Sequence, residues 1–502
     1  MCKRSTKQAQ IGIIPDMNNE TTENGTPIPS LWLAFTPLIA LVGMLSYSIC
    51  AFGTDALSGA SQLTLMVAGA IAATIGMGVY RLKWKSIERV VIECISEVMP
   101  SILLLILIGA LSGAWMVSGI VPGFIYYGMK IIHPEFFLAT ACIICTVVSM
   151  MTGSSWTTIA TIGLALVGIG TAQGFHPGIV GGAIISGAYF GDKMSPLSDT
   201  TILASSVTGT PLFTHIRYMT ATTIPAMSIT LVIFVILGLN YDVSATEHMD
   251  LISRELSSKF NITPWVFLVP VLTVALIALK TPSMIALFLS AAMGAAFALL
   301  VQPEVLQEIS ADNNALKGVI KAIYGKCSLS FPDRIMVELT ESNGMAGMLD
   351  TIWLIICAMV FGGIMRVCRM LDAITLLFMR CIRGRTSLVA ATALSGSFFN
   401  MVLADQYLAI ILTGGMYMPI YRRKGYETRL LSRTTEDSVT VVSPLIPWST
   451  CGMTQATILN VPTVSYLPYC FFNLLCPIFT IIVAMTGFGI GRAAEKQPGT
   501  DI

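Results

Sequence analysis

The chain has 502 residues, of which 54% are hydrophobic and only 11% charged, with a mean hydropathy of +0.77. A water-soluble protein of this size carries about twice that charged fraction, so the composition excludes a soluble fold and implies a multi-pass protein in contact with the lipid bilayer. The net charge of +1 offers no basic surface for nucleic acid, and the polar residues 1–30 lack the apolar core of a cleaved export signal.

In chain order, the apolar stretches of the first half lie at 31–52, 61–80, 96–120 and 135–170, then a small-residue run at 178–190 and a last span at 218–239. The second half offers 263–279, 283–301, 348–365, 388–421, a broken stretch at 428–459, and 464–487. Both halves read as two spans, a connector, a third span, a long bent segment, a broken segment and a last span. The bent segments are interrupted by polar islands. One is Met151-Thr152-Gly153-Ser154-Ser155-Trp156-Thr157-Thr158, the other Asn400-Met401-Val402-Leu403-Ala404-Asp405-Gln406-Tyr407. With arms read as too short to cross alone, each is expected to be a re-entrant hairpin with its tip at mid-depth, covered by protein.

Loop charges set the orientation. Lys3, Arg4 and Lys7, the connector Arg81, Lys83, Lys85 and Arg89, and the groups Arg380, Arg383, Arg385 and Arg422, Arg423, Lys424, Arg429, Arg433 are expected in the cytoplasm. The acidic loop with Asp242, Glu247, Asp250 and Glu255, against Arg254 and Lys259, and the acidic connector 302–347 are expected outside. Five crossings and one hairpin per half satisfy all of these assignments, and an odd count inverts the second half relative to the first. The expected fold is an all-α polytopic membrane protein of two inverted repeats, 31–240 and 263–490, each with about five crossings, one re-entrant helical hairpin and one broken helix. An external linker at 241–262 joins them, and cytoplasmic tails 1–30 and 491–502 flank them.

The chemistry gathers at the breaks. Gly191-Asp192-Lys193-Met194-Ser195-Pro196-Leu197-Ser198-Asp199-Thr200-Thr201 puts three charges inside apolar sequence, where each ionised group costs roughly 2.5–3.5 kcal/mol. Its counterpart is Glu436-Asp437-Ser438 followed by Ser443-Pro444-Leu445-Ile446-Pro447-Trp448-Ser449-Thr450. Paired proline-broken acidic elements point to a secondary transporter with its site at the midplane. Asp192 and Asp199 are candidates for cation coordination and proton exchange, with Ser195, Ser198 and Thr200 as hard oxygen ligands and Pro196 freeing backbone carbonyls. A partly dry carboxylate holds a proton more readily than one in water, which suits exchange of a proton for sodium. The structural reading is an Asp–Lys pair with Lys193 and a helix cap at Asp199. Lys193 is otherwise a counter-charge. Asp405 is the sole acid of its hairpin. Glu436 and Asp437 are candidates too, or belong to an amphipathic helix with Arg433 as their ion-pair partner. Ser154, Ser155, Thr157 and Ser443 are candidate hydroxyl ligands, the tip group being equally suited to capping. Trp156 and Trp448 read as packing, and His176 and His215 as solvated loop histidines. The pair Cys142 and Cys145 reads as helix packing rather than metal or redox chemistry. No Walker A pattern, GxxxxGK[ST], suggests ATP as energy source.

At these residues the chain resembles the NhaC-type sodium/proton antiporter family, almost letter for letter over 191–201, with likenesses at Gly153-Ser154-Ser155-Trp156, Ala404-Asp405-Gln406-Tyr407, Glu436-Asp437-Ser438 and Pro444-Leu445-Ile446-Pro447-Trp448. Ile202 and Ser449 stand where that pattern has asparagine. The resemblance covers roughly residues 30–490. It implies an antiporter of the bacterial cytoplasmic (inner) membrane, with sodium ions and protons as its cargo, no cofactor and no resident metal, and a homodimer as the candidate assembly. It also covers malate/lactate-type organic-acid exchangers and amino-acid carriers coupled to sodium and protons. A membrane aspartyl protease would need Gly-x-Gly-Asp, and position 189 is Tyr. A passive channel would be excluded by coupled countertransport.

Overall fold

The computed structural model describes residues 29–52, 59–241, 246–279, 281–310, 312–331, 336–337 and 340–490. Nearly all of both expected tails, and Asp242 of the expected linker, lie outside the described residues. Among the described residues there is no β-strand, only an isolated bridge between Cys327 and Ser342. Nine helices there are long and apolar enough to cross a membrane, or eleven if each of two bent pairs is one crossing. The chain is therefore an all-helical, multi-pass membrane protein.

The first half begins with α1 (Leu31–Phe52) and α2 (Ala60–Gly78). Next comes α3 (Trp84–Val117), a 34-residue rod about 51 Å long at 1.5 Å per residue. Gly119 takes the left-handed conformation, φ 77°, and turns the chain into α4 (Ile120–Ile131). The bent segment is α5 (Pro134–Thr152) and α6 (Ser155–Ala172), the latter with a π-turn at Ile159–Gly163. The broken segment is α7 (Pro177–Met194) and α8 (Asp199–Val207), and α9 (Leu212–Leu239) closes the half.

Then follow α10 (Thr246–Lys259), α11 (Leu268–Ala278) and α12 (Ser283–Val301), two short helices α13 (Pro303–Ile309) and α14 (Ala315–Tyr324), and α15 (Leu349–Val367). Arg369, φ 55°, turns into α16 (Met370–Arg380) as Gly119 does into α4. The second bent segment is α17 (Arg385–Leu403) and α18 (Gln406–Arg423). The second broken one is α19 (Thr428–Thr435), its π-turn Glu436–Thr440, and α20 (Thr450–Leu459), followed by α21 (Phe471–Thr486).

Lipid is as apolar as a leucine side chain, so helices associate in a bilayer through close packing and hydrogen bonds. The small residues of α7 serve this. A Cβ on Gly187 would lie 2.1 Å from the Cys142 carbonyl oxygen, and one on Gly191 2.4 Å from that of Thr146. Ser149 Oγ on α5 donates to the Ala188 carbonyl at 2.6 Å across the same contact. Cys142 and Cys145 are free and buried there. Two large apolar cores and a small one result. One large core gathers α4 to α7, α9, α12 and α21; the other gathers α1, α2, α15, α16, α17 and part of α18; the small one joins α17, α18, α19 and the end of α21.

One expectation changes, and two connecting segments prove to be helical. Three of the four arms of the bent segments are not too short to cross: Pro134–Thr152, Ser155–Ala172 and Arg385–Leu403 each pass for a span. The turns consume only two residues, and the rest of each polar island continues the helices. The linker expected at 241–262 contains α10, whose Ile252 and Leu256, one turn apart, are buried; it meets Pro264–Ile277 at 87°. The connector 302–347 contains α13 and α14, and α14 packs on α3: the Ala322 carbonyl oxygen sits 2.0 Å from where a Cβ of Gly113 would be.

Candidate functional site

The first tip is a two-residue turn. Gly153, φ 68°, ends α5 in the left-handed form that glycine adopts without strain. Ser154 then caps α6, its Oγ accepting from the Thr157 N–H at 3.2 Å and from the Thr157 hydroxyl at 3.1 Å. The tip touches the first break. The Ser155 N–H donates to Oδ2 of the buried Asp192 at 3.1 Å, and Ser195 Oγ donates to the Met150 carbonyl at 2.9 Å. Past Pro196, Ser198 caps α8 by accepting from the Thr201 N–H at 3.4 Å, and lies 3.0 Å from the Thr200 hydroxyl. Ser198, not Asp199, is the cap. Asp199 is the first residue of α8 and is exposed.

The second tip repeats this geometry with a charge in it. Ala404, φ 55°, ends α17, and Asp405 caps α18, its Oδ1 accepting from the Leu408 N–H at 3.0 Å. The second break docks on that tip: the Thr450 N–H donates to the Ala404 carbonyl at 2.7 Å and the Thr450 hydroxyl to Asp405 Oδ2 at 3.3 Å. A π-turn and a Ser-Pro break release backbone carbonyls that need donors. Asn400 Nδ2 serves that of Val439 at 2.8 Å, Asn473 Nδ2 that of Val441 at 2.7 Å, and Ser449 Oγ that of Ser443 at 2.6 Å. Ser443 Oγ donates to Asn400 Oδ1 at 3.4 Å.

Between the breaks the halves meet through charge. Lys193 on α7 forms a fully buried ion pair with Asp437, whose other oxygen accepts from Thr480 on α21. Lys193 Nζ also lies 3.0 Å from Cys476 Sγ. Glu436 is fully buried with neither carboxyl oxygen hydrogen-bonded, within electrostatic reach of Lys193 and Asp192 and close to Thr200. Tyr407 stands among Asp199, Asp192 and Asp405, and Gln455 Nε2 donates to the Tyr189 hydroxyl at 3.3 Å. Asp192, Asp405 and Glu436 are thus buried carboxyls that form no ion pair among the described residues. Such a group is stable only when protonated or when it holds a cation.

Several expected partners are different. Lys193 pairs with Asp437 rather than with Asp192 or Asp199. Arg433 does not neutralise Glu436 or Asp437, and it is not part of a cytoplasmic loop: it is fully buried, with its guanidinium carbon 4.6 Å from the centre of the Tyr218 ring. His215 is no solvated loop residue; it is buried, with Nδ1 2.6 Å from Ser432 Oγ. His176 is exposed and caps α7. Trp448 donates its indole N–H to the Met401 carbonyl at 2.7 Å. Sequence reasoning missed Asn400, Asn473, Thr480, Cys476, Tyr189 and Gln455. Asn473, Thr480, Cys476 and Tyr189 sit in apolar runs with no local signal, whereas Asn400 was marked by its place in the second polar island and Gln455 by its place in the broken stretch 428–459.

A polar seam of buried carboxyls, reached by two capped tips and two helix breaks inside an apolar shell, defines a membrane transporter. The comparisons agree on the class and narrow it. The chain matches the Na+/H+ antiporter family over residues 3–186 and 187–488. It is 35% identical to the Na(+)/H(+) antiporter NhaC of Alkalihalophilus pseudofirmus over 431 residues, 86% of this chain and 91% of that one. It is also 35% identical to the Na(+)/H(+) antiporter NhaC of Bacillus subtilis, over 80% of this chain and 87% of that one. To the Malate-2H(+)/Na(+)-lactate antiporter of Bacillus subtilis it is 33% identical, over 85% of this chain and 89% of that one. The chain belongs to the Na+/H+ antiporter family.

Proposed function

We propose that this protein is a secondary active transporter that extrudes sodium in exchange for protons across the bacterial inner membrane by alternating access. The observation that carries the reading is the set of buried, unpaired carboxyls Asp192, Asp405 and Glu436 at the junction of tips and breaks. A carboxyl held away from water and from basic partners must take either a proton or a cation, and that competition is the exchange. Ser155, Ser195, Ser198, Thr200 and Ser443, with the carbonyls of the two breaks, are the nearby neutral oxygens suited to sodium. Asp199 serves at the exposed mouth of the site. The matched element order of 31–240 and 263–490 supports two inverted repeats around it.

The second reading, a sodium/proton-coupled organic-acid or amino-acid exchanger, has the malate–lactate relative in its favour. It loses its expected counter-charge, because Lys193 is already held by Asp437. The deciding experiment uses everted vesicles with an imposed proton gradient, to which Na+, Li+, K+, malate, lactate and basic amino acids are added in turn. Collapse of the gradient by Na+ alone supports antiport. Collapse only with an organic solute present would refute it.

A further inference from the structure

The contact between α9 and α19 holds donors without acceptors. Arg433 is fully buried, and none of its three guanidinium nitrogens has a hydrogen-bond partner among the described residues. The Tyr218 ring against which it lies also carries Arg429, at 4.9 Å. The Tyr218 hydroxyl is buried without a partner, and so is Nε2 of His215, one turn earlier on α9. His215 is tied to this place by its Nδ1 contact with Ser432, the neighbour of Arg433. Buried donors left without acceptors cost free energy, most of all when one is a full charge.

The acceptors nearby are taken or turned away. Glu427 is bound to Arg429 and Asp437 to Lys193. Glu436, three residues past Arg433, makes no ion pair with it. What completes such a set is a planar, two-oxygen anion, which fits the guanidinium fork and accepts from a phenol and an imidazole. The approach is graded in the same sense: Arg422, Arg423 and Lys424 are exposed, Arg429 and Tyr218 half-buried, and Arg433 sealed one turn further along α19.

We propose that Arg433, Tyr218 and His215 form a binding site for a small carboxylate anion, which reaches it from the side of residues 422–424 when the Tyr218 ring swings aside. The site shares no residue with the Asp192–Asp405 cluster, and its His215 lies within electrostatic reach of Lys193 and Asp437 beside that cluster. It rests on the antiporter reading for its use in transport but not for binding, and it adds an organic anion to that reading's sodium and protons.

The test uses the full chain in proteoliposomes and equilibrium binding of radiolabelled L-malate and L-lactate, with equal chloride as competitor. Wild type should bind one of them saturably, with chloride failing to displace it. Arg433→Gln should weaken binding by at least about thirtyfold, the lower end for unpairing one buried charge. Tyr218→Phe, which keeps the ring and removes only the hydroxyl, should weaken it several-fold, and it decides alone if Arg433→Gln does not accumulate in the membrane. No binding by wild type, equal displacement by chloride, or unchanged affinity in the variants that fold overturns the site. Sodium-driven proton movement in the same vesicles without organic anion tests antiport separately; its absence would sink that reading and leave the malate result standing.

Discussion

Replacing Lys193 by Met tests the junction of the two halves most directly. The ammonium and the Asp437 carboxylate are both fully buried, so removing the cation leaves a charge with only Thr480 and Cys476 beside it. Breaking a buried pair on one side costs about 3–5 kcal/mol, whereas replacing both members by apolar side chains is neutral or stabilising by about 1–4 kcal/mol. Lys193→Met should therefore unfold well below wild type in sodium-free buffer, and Lys193→Met with Asp437→Leu should recover most of the loss. If sodium can stand where the ammonium stood, it should also rescue the single mutant, by about 2.7 kcal/mol at a hundred times its dissociation constant. It should not rescue the double mutant. The assay is equilibrium or thermal unfolding of purified protein in micelles, with choline replacing sodium in the control. A single mutant as stable as wild type, or a double mutant no better than the single, would show that the pair does not hold the halves together.

Asp192→Asn should abolish sodium-driven proton release at normal membrane levels of protein; wild-type exchange rates would remove it from the site. Asp199→Asn should instead leave residual turnover with weaker apparent sodium affinity, because the exposed Asp199 caps nothing. Asp405→Asn should keep the fold and lose transport, since Asn caps a helix as well as Asp, while Asp405→Ala should lose about 1 kcal/mol of stability as well; equal stability of the two would argue against the cap. Gly187→Val should prevent folding, measured as loss of monodisperse protein, because its Cβ would sit 2.1 Å from a carbonyl oxygen. With the exposed Cys381 removed, a cysteine at Arg254 should react with an impermeant thiol reagent from outside and one at Lys424 should not; the reverse pattern would overturn the orientation.

The legible parts of this protein are those written locally. Gly153-Ser154 and Ala404-Asp405 announce helix–turn–helix tips, because each pairs a residue that ends a helix with one that caps the next. Ser195-Pro196 and Ser443-Pro444 announce breaks, because proline removes a helical donor, and the caps Ser198 and Ser449 follow them. The carboxyls of the seam were visible as charges out of place in apolar sequence. What could not be read was pairing across distance. Lys193 has Asp192 as its chain neighbour, yet its partner is 244 residues away. Arg433 ended a run of basic residues that looked like a cytoplasmic loop, and only the docking of α9 on α19 shows that it is buried. The same preference for local charge hid α10, where Ile252 and Leu256 carried a helical period among acidic neighbours.

The two large apolar cores have a mechanical consequence. Within each, close packing makes every side chain lean on many others, so deformation there is resisted throughout the volume. Between them runs the polar seam, where cohesion comes from discrete bonds such as Lys193 with Asp437 and Thr450 with Asp405. Among the described residues α3 and α20 contribute side chains to both cores. The molecule thus resembles two stiff blocks laid along a plane of easy slip and pinned by two rods, and a stress applied at either face is relieved first at the carboxyls.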